Sequence, residues 1–292
     1  MDGFLLIDKA GGMTSHDVVA MARKKLDTKK VGHAGTLDPM ATGVLVLGVG
    51  IATRLLTYIT DGKKTYEATI LLGKSTHTDD KDGDLTFTGD QEIISKISDD
   101  QIKGELAKFI GKIKQRPSSV SAIKIDGKTA HARVRAGESV EIAERDVTIY
   151  ELITKDIRNL SNVIEVDISV TCSAGTYIRA IARDLGSNLN IGGHLIALRR
   201  SLVSPFSIEQ CKQVKDADLI PVGELIEKLF PTRNLDLAQS SEIRFGRVIE
   251  QNSKEGVFAA LDNQGNFVAL LENKLQGNLV VAAPILVAGS GQ

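Results

Sequence analysis

The alternation of apolar and polar residues predicts several β-strands in the first two thirds of the chain. GFLLIDK at residues 3–9 and KKTYEATILLG at 63–73 are typical of strands, the second because it alternates regularly. GVLVLGVG at 43–50 is a short apolar run bounded by glycine and rich in β-branched residues, which favours a strand over a helix. VTIYELITKDIR at 147–158 and NVIEVDISVTCS at 162–173 predict a pair of long antiparallel strands.

Apolar residues at helical spacing predict the helices. They are expected within TSHDVVAMARKKL (14–26), ATRLLTYI (52–59), DDQIKGELAKFIGKI (99–113), TYIRAIARDLGSNL (176–189) and VGELIEKLF (222–230). Thr14 and Asp17 have the spacing of a capping box, and Asp99 or Asp100 is the expected N-cap of the third helix. The polar segment STHTDDKDGDLTFTGD at 75–90 predicts a loop, and Asp126-Gly127 predicts a turn between a strand and a short basic helix.

The pattern changes near residue 230. Beyond it come short β-type runs, GVFAALD, NFVALLE and NLVVAAPILV, separated by turns such as 262–265. We therefore predict one large domain over residues 1–230 and a small β-rich domain over 231–292.

Composition changes this picture little. With 292 residues, 42% of them hydrophobic and 25% charged, the chain is typical of a soluble globular protein. No apolar stretch approaches the roughly 18 residues that a membrane span requires. The acidic start MDGFLLIDK is unlike a secretory signal, so we expect a cytoplasmic protein without membrane association.

The net charge of −1 means that any nucleic-acid binding depends on a local patch. Two groups of basic residues could form one, although either group taken alone is more typical of a solvated helix face. The first group is Arg23, Lys24, Lys25, Lys29 and Lys30; the second is Arg179, Arg183, Arg199 and Arg200.

Several familiar cofactor and metal motifs are incomplete. Thr53 stands where a dinucleotide fingerprint needs its third glycine, and Ala68 stands where a P-loop needs its first. Gly89 occupies the position of the bidentate glutamate in a calcium loop. Cys172 lies within a strand pattern, which predicts an inert buried thiol, and His33 has no partner at metal-ligand spacing. None of these segments is expected to bind the ligand of the motif that it resembles.

The GTLDP segment has two interpretations. Asp38 could be the N-cap of a helix that begins at Pro39. Alternatively, a carboxylate on a glycine-flanked loop could act as a nucleophile or base, provided that a cation keeps it ionised where water is excluded. Arg179 follows a glycine turn at a predicted strand-to-helix junction, where it could pair with Asp38.

Five segments in order resemble the bacterial TruB family, the tRNA pseudouridine-55 synthases. They are GFLLIDKAGGMTSHDVV, KKVGHAGTLDPMATGVLVLGVGIATR, KTYEATILLGKSTHTDDKDG, SAIKIDGKTAHARVRAG and CSAGTYIRAIARDLG. The resemblance covers residues 3–205, and the C-terminal segment resembles, more loosely, the small PUA-like RNA-binding domain that ends family members.

This resemblance implies an α+β fold, with a central, mostly antiparallel sheet flanked by helices and a cleft between two halves of the sheet. It implies isomerisation of uridine 55 in the T-loop of tRNA to pseudouridine, without cofactor or metal. The target base must be flipped into a pocket before it can react. The implied partner is the T-arm stem-loop of tRNA, and nothing in the sequence demands an oligomer, so a monomer is expected.

The resemblance places the catalytic aspartate at Asp38. Tyr66 matches the aromatic residue that stacks on the flipped base, and Arg179 matches the arginine that pairs with the aspartate. The attack could be on the uracil ring or at the ribose, and the sequence leaves both open.

Four further positions match residues that bind substrate or support the site. Tyr177 and Leu198 match pocket-lining positions, so the cleft should hold both beside Asp38, Tyr66 and Arg179. His33 matches the histidine that holds the disrupted T-loop, and Lys9 matches a support for the active-site loops.

The chain departs from the family pattern at three positions. Ala10 and Ser118 each stand where a proline is common, and His131 stands where a tyrosine is more frequent. None of the three is among the residues expected to carry chemistry, so they bear on loop rigidity and not on the reaction.

The sequence leaves three alternative functions open. A passive RNA-binding protein would not require Asp38, and a nucleotide-binding enzyme would require the motifs that are incomplete here. A related synthase could act on a different uridine, because substrate choice depends on loops and on the C-terminal domain.

Overall fold

A computed structural model describes residues 1–120, 142–253 and 255–289, together with the backbone of 124–125 and 128–129. The proposed basic helix after Asp126-Gly127, most of the SAIKIDGKTAHARVRAG motif and His131 lie outside the described residues. On either side of that predicted turn, Lys124–Ile125 and Lys128–Thr129 pair as short antiparallel strands.

The helices, in chain order, are α1 (Ser15–Leu26), α2 (Leu56–Thr60), α3 (Gln91–Ile94), α4 (Asp99–Ala107), α5 (Ile178–Asn188), α6 (Val222–Ile226) and α7 (Leu237–Arg244). Short 3₁₀ helices span Gly50–Arg54 and Ile208–Gln210. The capping box of α1 is confirmed, since the Thr14 hydroxyl accepts from the Asp17 amide and the Asp17 carboxylate accepts from the Thr14 amide.

The strands, in chain order, are β1 (Gly3–Lys9), β2 (Val31–His33), β3 (Thr42–Val49), β4 (Lys64–Leu72), β5 (Lys74–Thr76), β6 (Leu85–Thr88), β7 (Gly111–Gln115), β8 (Lys124–Ile125), β9 (Lys128–Thr129), β10 (Arg145–Leu160), β11 (Val163–Cys172), β12 (Gly193–Val203), β13 (Phe206–Ser207), β14 (Ile220–Pro221), β15 (Thr232–Asn234), β16 (Ile249–Glu250), β17 (Val257–Leu261), β18 (Phe267–Gln276) and β19 (Leu279–Val287). The predicted antiparallel pair β10 and β11 is confirmed.

A large, mostly antiparallel sheet organises the molecule, as expected. Its strand order is β14-β1-β3-β12-β4-β11-β10-β7. β3 and β12 pair in parallel, through Thr42 with Arg199 and Gly43 with Arg200. This pairing joins the half of the sheet that contains β1 and β3 to the half that contains β4, β11 and β10.

The strands β1 and β3 are buried on both faces, which explains their uninterrupted apolar runs. One face, with Leu5 and Leu45, packs into a core that also contains buried residues of α1, α4 and α5. The other face, with Phe4 and Val44, packs into a second core that includes α2 and residues of the C-terminal sheet.

The C-terminal β-rich domain is confirmed as a separate five-stranded sheet, in the order β15-β17-β18-β19-β16. Its strands begin at Thr232, close to the predicted boundary. Phe267 and Leu270 of this sheet share a core with Phe4 and Val44 of the large sheet. The two parts are therefore packed together, and the division at residue 230 stays a prediction.

Three sequence predictions of local structure are wrong. The segment 75–90 is not only a loop, because β5 and β6 pair within it. The N-cap of α4 is Ser98, whose hydroxyl accepts from the amide of Gln101, and the helix ends at Ala107 before β7. The expected helix over 222–230 is limited to Val222–Ile226.

Candidate active site

Asp38 lies on the loop that joins β2 to β3, at the junction of the two halves of the sheet. No helix follows it: the Ala41 amide donates to the Asp38 carbonyl at 3.1 Å and closes a turn. The interpretation of Asp38 as a helix N-cap is therefore wrong. The Asp38 side chain therefore projects from a loop, and other residues hold the backbone of that loop.

Two buried cations hold this loop. Arg200 donates from Nε to the Val44 carbonyl at 2.8 Å and from its terminal nitrogens to the carbonyls of Gly35 and Thr36 at 3.0 and 3.3 Å. Lys9 donates from Nζ to the carbonyls of Pro39, Ala10 and Met13 at 3.2, 2.9 and 2.7 Å. Lys9 thus connects the loop after β1 to the loop that carries Asp38.

Asp38 and Arg179 form a two-point ion pair. Arg179 Nε lies 2.9 Å from Asp38 Oδ2, and Arg179 Nη2 donates to Oδ1 at 3.1 Å. The side chain of Arg179 is 5% exposed, whereas that of Asp38 is 32% exposed. Arg179 therefore supports the carboxylate from the interior and leaves part of it facing open space.

Arg179 is itself fixed by the loop after β5 and by the segment after β7. Its Nη1 lies 3.4 Å from the buried carboxylate of Asp80, and it donates to the carbonyls of Thr78 at 2.8 Å and Val120 at 3.1 Å. The sequence offered no signal for Asp80, which lies in a segment predicted as a polar loop.

Ser118 also contacts Arg179. Its hydroxyl is 3.3 Å from Arg179 Nη1 and donates to the Thr78 carbonyl at 3.1 Å, and the residue is fully buried. This departure from the family pattern therefore contacts a candidate catalytic residue, because a chain segment distant in sequence folds back onto α5.

A cleft of about 490 Å³ opens in front of Asp38. Its walls bring together five expected residues, Asp38, Tyr66, Tyr177, Arg179 and Leu198. They come from the β2–β3 loop, β4, the segment before α5, α5 itself and β12. The walls also contain residues that sequence reasoning did not place there, among them Lys64, Arg145 and Arg200.

Tyr66 and Leu198 form apolar parts of the cleft wall and are 8% and 7% exposed. Burial raises the pKa of Tyr66, and the nearby charge of Arg200 only partly offsets this effect. The Tyr66 hydroxyl therefore stays protonated at neutral pH, which preserves an uncharged aromatic surface.

Tyr177 is held by a buried glutamine that sequence reasoning missed. Gln115, at the end of β7, accepts from the Tyr177 amide at 2.8 Å and donates from Nε2 to the Tyr177 carbonyl at 3.0 Å. This pair of bonds fixes the backbone at the start of α5, and so it fixes the direction in which Arg179 enters the site.

His33 and Lys9 lie outside the cleft lining. His33 ends β2 and packs edge-on against His16, with ring centroids 5.6 Å apart. Its buried Nδ1 has no hydrogen-bond partner in the part of the chain that the structure describes. Burial lowers the pKa of His33, so the ring is neutral near pH 7.

Comparison with known proteins identifies the family. The model of the TruB family pseudouridylate synthase N-terminal domain matches residues 23–178, and that of the tRNA pseudouridine synthase II C-terminal domain matches 230–279. The chain belongs to the TruB family. It is therefore an isomerase, and the predicted resemblance is confirmed.

Full-length relatives support this assignment. The chain is 46% identical to tRNA pseudouridine synthase B of Paenarthrobacter aurescens, over 100% of this chain and 96% of that protein. It is 44% identical to tRNA pseudouridine synthase B of Corynebacterium efficiens, over 93% of this chain and 92% of that protein.

Solved structures share the fold. A chain from an H/ACA ribonucleoprotein bound to a substrate RNA containing 2'-deoxyuridine matches with a TM-score of 0.69 and 21% identity, covering 98% of this chain and 84% of that one. A chain from a Cbf5–Nop10–Gar1 complex matches with a TM-score of 0.67 and 22% identity, covering 97% and 83%. The α+β fold predicted for a TruB family member is thus confirmed.

The cleft of this TruB family member is electropositive although the whole chain is slightly acidic. Its described lining contains four cations, Lys64, Arg145, Arg179 and Arg200, and a single carboxylate, that of Asp38. Arg145 is exposed at the rim, and no described residue places a carboxylate within salt-bridge distance of it.

The second basic group is not a surface patch. Arg200 is 1% exposed, and Arg199 pairs with Asp8 at 2.9 Å. Arg183 lies 3.3 Å from Asp79 and is bonded to Asp184. Arg179 and Arg200 therefore do not belong to a nucleic-acid-binding surface patch, because they are buried and their guanidinium groups are bonded to protein acceptors.

The described residues contain no group of three or more histidine, cysteine or acidic side chains that could hold a metal ion. In the same described ranges, none of the helices has the length and apolar character needed to cross a membrane. Cys172 is buried, and burial raises the pKa of its thiol to about 11, as expected for an unreactive cysteine.

Proposed function

We propose that this protein isomerises uridine 55 in the T-loop of tRNA to pseudouridine, with Asp38 as its essential carboxylate. The relatives named tRNA pseudouridine synthase B support the reaction and the class of RNA. The observation that carries the proposal is the Asp38 carboxylate, held at two points by Arg179 and presented to a cleft with aromatic and apolar walls.

The cleft suits a single flipped base. An uncharged uracil requires apolar contact, and stacking on an aromatic side chain contributes about 1–3 kcal/mol. Tyr66 supplies that aromatic surface, with Leu198 and Tyr177 as further walls. Extraction of the base from a folded loop costs a few kcal/mol, which these contacts and those to the RNA backbone must offset.

The reaction is balanced without an external reagent. The N1–C1′ bond breaks, C5 bonds to C1′, C5 loses a proton and N1 gains one. No electrons leave the substrate, so neither an oxidant nor a reductant takes part. Asp38 supplies the electron pair, by attack on C6 of the ring or at C1′ of the ribose, and Arg179 keeps the carboxylate oriented throughout.

Positioning residues complete the site. Lys9 fixes the loop that bears Asp38 through the Pro39 carbonyl. His33 ends β2 beside that loop, and its half-buried ring is a suitable contact for the T-loop nucleotides displaced when the base flips. Arg145 at the rim suits a phosphate of the T-arm. We propose that the protein acts as a monomer in the cytoplasm.

The test uses a T-arm stem-loop RNA that carries tritium at C5 of its uridines. Wild-type protein should release one equivalent of tritium per RNA as C5 exchanges its proton for the bond to C1′. Replacement of the uridine at position 55 by cytidine should abolish release, and replacement of any other loop uridine should not. RNA that is bound but releases no tritium would refute the proposal and favour a passive RNA-binding protein.

A further inference from the structure

Two buried cations in the cleft wall have no carboxylate partner among the described residues. Lys64 is 5% exposed and Arg200 is 1% exposed. Lys64 donates from Nζ to the carbonyls of Thr60 and Gly62 at 2.6 and 2.8 Å. The acceptors of Arg200 are also backbone carbonyls. Carbonyl oxygens solvate these cations but do not neutralise them.

The fold pays a free-energy cost to keep this charge. Burial lowers the pKa of Lys64 to about 8, and the adjacent positive charge of Arg200 lowers it further in the same direction. A neutral side chain of similar volume at position 64 would avoid this desolvation cost. An uncompensated charge of this kind fits a site in which negative charge develops transiently.

Lys64 and Arg200 lie beside the place where the base must stack. Lys64 and Tyr66 are on the same buried face of β4, and both line the cleft with Arg200. A Cβ atom added to Gly35 would lie 3.7 Å from both Arg200 Nη1 and Lys64 Cε. The two cations therefore flank one point on the cleft wall, next to the loop that carries Asp38.

The chemistry creates negative charge on the base by either route. When the N1–C1′ bond breaks, its electron pair stays on the uracil and spreads over N1, O2 and O4. When a carboxylate instead adds to C6, the displaced electrons form an enolate at O4. Uridine is neutral before either step. A fixed cation in a cleft of low dielectric constant stabilises such a transition state more than it stabilises the ground state.

We propose that Lys64 is an electrostatic catalytic residue, which together with Arg200 stabilises the negative charge that develops on the flipped uracil. This inference rests on the proposed function. It differs from a purely structural role, in which Lys64 would only cap the carbonyls at the end of α2.

The first experiment compares substitutions at two adjacent lysines. Lys64→Met should lower the single-turnover rate of tritium release about 100-fold, by analogy with the loss of one preorganised donor, and change the Kd for RNA less than threefold. Lys64→Gln, which can still donate to the carbonyls, should be equally slow, and Lys64→Arg should recover at least tenfold. Lys63→Met is the matched control, because Lys63 is exposed and its Nζ lies 4.4 Å from the ring centroid of Tyr150; its rate should match wild type.

The second experiment separates electrostatics from structure. The probe is the same stem-loop with 6-hydroxyuridine, whose ring is anionic near pH 7, at the target position. In an Asp38→Asn background, which prevents turnover, it should bind at least tenfold more tightly than uridine RNA. Adding Lys64→Met should remove most of that preference.

The two experiments distinguish failure of the inference about Lys64 from failure of the proposed function. If wild type and Lys64→Met are equally active, the inference about Lys64 is wrong and the proposed function stands. A slow Lys64→Met protein that keeps the preference for the anionic ring assigns Lys64 a structural role and also overturns it. Wild-type protein that binds RNA but releases no tritium refutes the proposed function, and the inference fails with it.

Discussion

Arg179 connects Asp38, the partly exposed candidate nucleophile, to the interior of the protein. One edge of its guanidinium holds Asp38, and the other is bonded to Asp80 and to the carbonyls of Thr78 and Val120. Removal of the arginine would leave the Asp80 carboxylate buried without its cation. Removal of the Asp38 charge would leave Arg179 paired with Asp80.

We therefore predict unequal effects on stability. Arg179→Met should lower the free energy of unfolding by about 3–5 kcal/mol, the cost of a buried charge without its partner. Asp38→Asn should lower it by about 1 kcal/mol or less, because Asp38 is partly exposed. Urea unfolding of both variants measures the difference, and equal losses would contradict the assigned network.

Lys64 gives a prediction for the pH dependence of stability. Its pKa of about 8 in the folded protein lies below the 10.5 of an unperturbed lysine, so between these values the native state binds fewer protons than the unfolded state. The free energy of unfolding should therefore rise with pH in this window, by up to about 1.4 kcal/mol per pH unit for this lysine.

Urea titrations at pH 7.5 and 9 compare wild type with Lys64→Met. The wild-type value should gain more on going to the higher pH than the Lys64→Met value does. Lys9, whose pKa is also lowered to about 8, and both cysteines are present in each protein, so their contributions cancel. Parallel pH dependences would show that Lys64 titrates normally.

At the scale of elements, the parallel contact of β3 with β12 positions the site. Gly43 pairs with Arg200 across this contact, and its φ is +104°. A Cβ atom there would meet the Arg200 carbonyl oxygen at 2.2 Å. Only glycine lets β12 approach closely enough for Arg200 to bond the carbonyls of the Asp38 loop.

Gly43→Ala should accordingly destabilise the protein about 1–3 kcal/mol more than Gly12→Ala does. Gly12 also has a positive φ, +81°, but no atom lies within 4 Å of an added Cβ, so this control isolates the steric contact from the backbone strain. Thermal unfolding of the two variants provides the comparison. Equal losses would show that β3 and β12 can separate without penalty.

The regular elements could be predicted where one periodicity dominates. β4, β11 and α5 each bury one face, so their periodicity is visible in the sequence. β12 could not be predicted, because register shifts at Leu195/Ala197 and Arg200/Leu202 break its alternation. The β5–β6 hairpin was missed although Leu85 and Phe87 alternate with threonine in its second strand, because that strand has only four residues and is fully exposed.

The site residues that match family motifs could be predicted from the sequence. Those that were missed are charged or polar residues that are usually exposed but are buried in this fold. The sequence placed Asp38 with Arg179, and the structure shows this ion pair. Arg200 and Lys64 were missed as wall residues because an arginine or lysine is mostly exposed. Asp80, Gln115 and Ser118 were missed because only the tertiary fold brings them to Arg179 and Tyr177.

At the scale of the whole molecule, a slightly acidic protein has to bind a polyanion through its cleft. Arg145 is the exposed cation of the described lining, whereas Lys64, Arg179 and Arg200 are buried and bonded to protein groups. Arg145→Gln should weaken binding of the T-arm RNA and reduce the slope of log Kd against log salt by about one. Arg145→Lys should keep the slope, and an unchanged slope in Arg145→Gln would place the phosphate contacts elsewhere.

We propose that the Asp38 carboxylate, held by Arg179, performs the chemistry. The most direct measurement is single-turnover tritium release from C5-labelled T-arm RNA by wild type and Asp38→Asn, with the Kd for RNA determined in parallel. We expect release by wild type, a Kd for Asp38→Asn within about threefold of wild type, and a release rate for Asp38→Asn at least about 1,000-fold lower. Release by Asp38→Asn at a rate near that of wild type would contradict it.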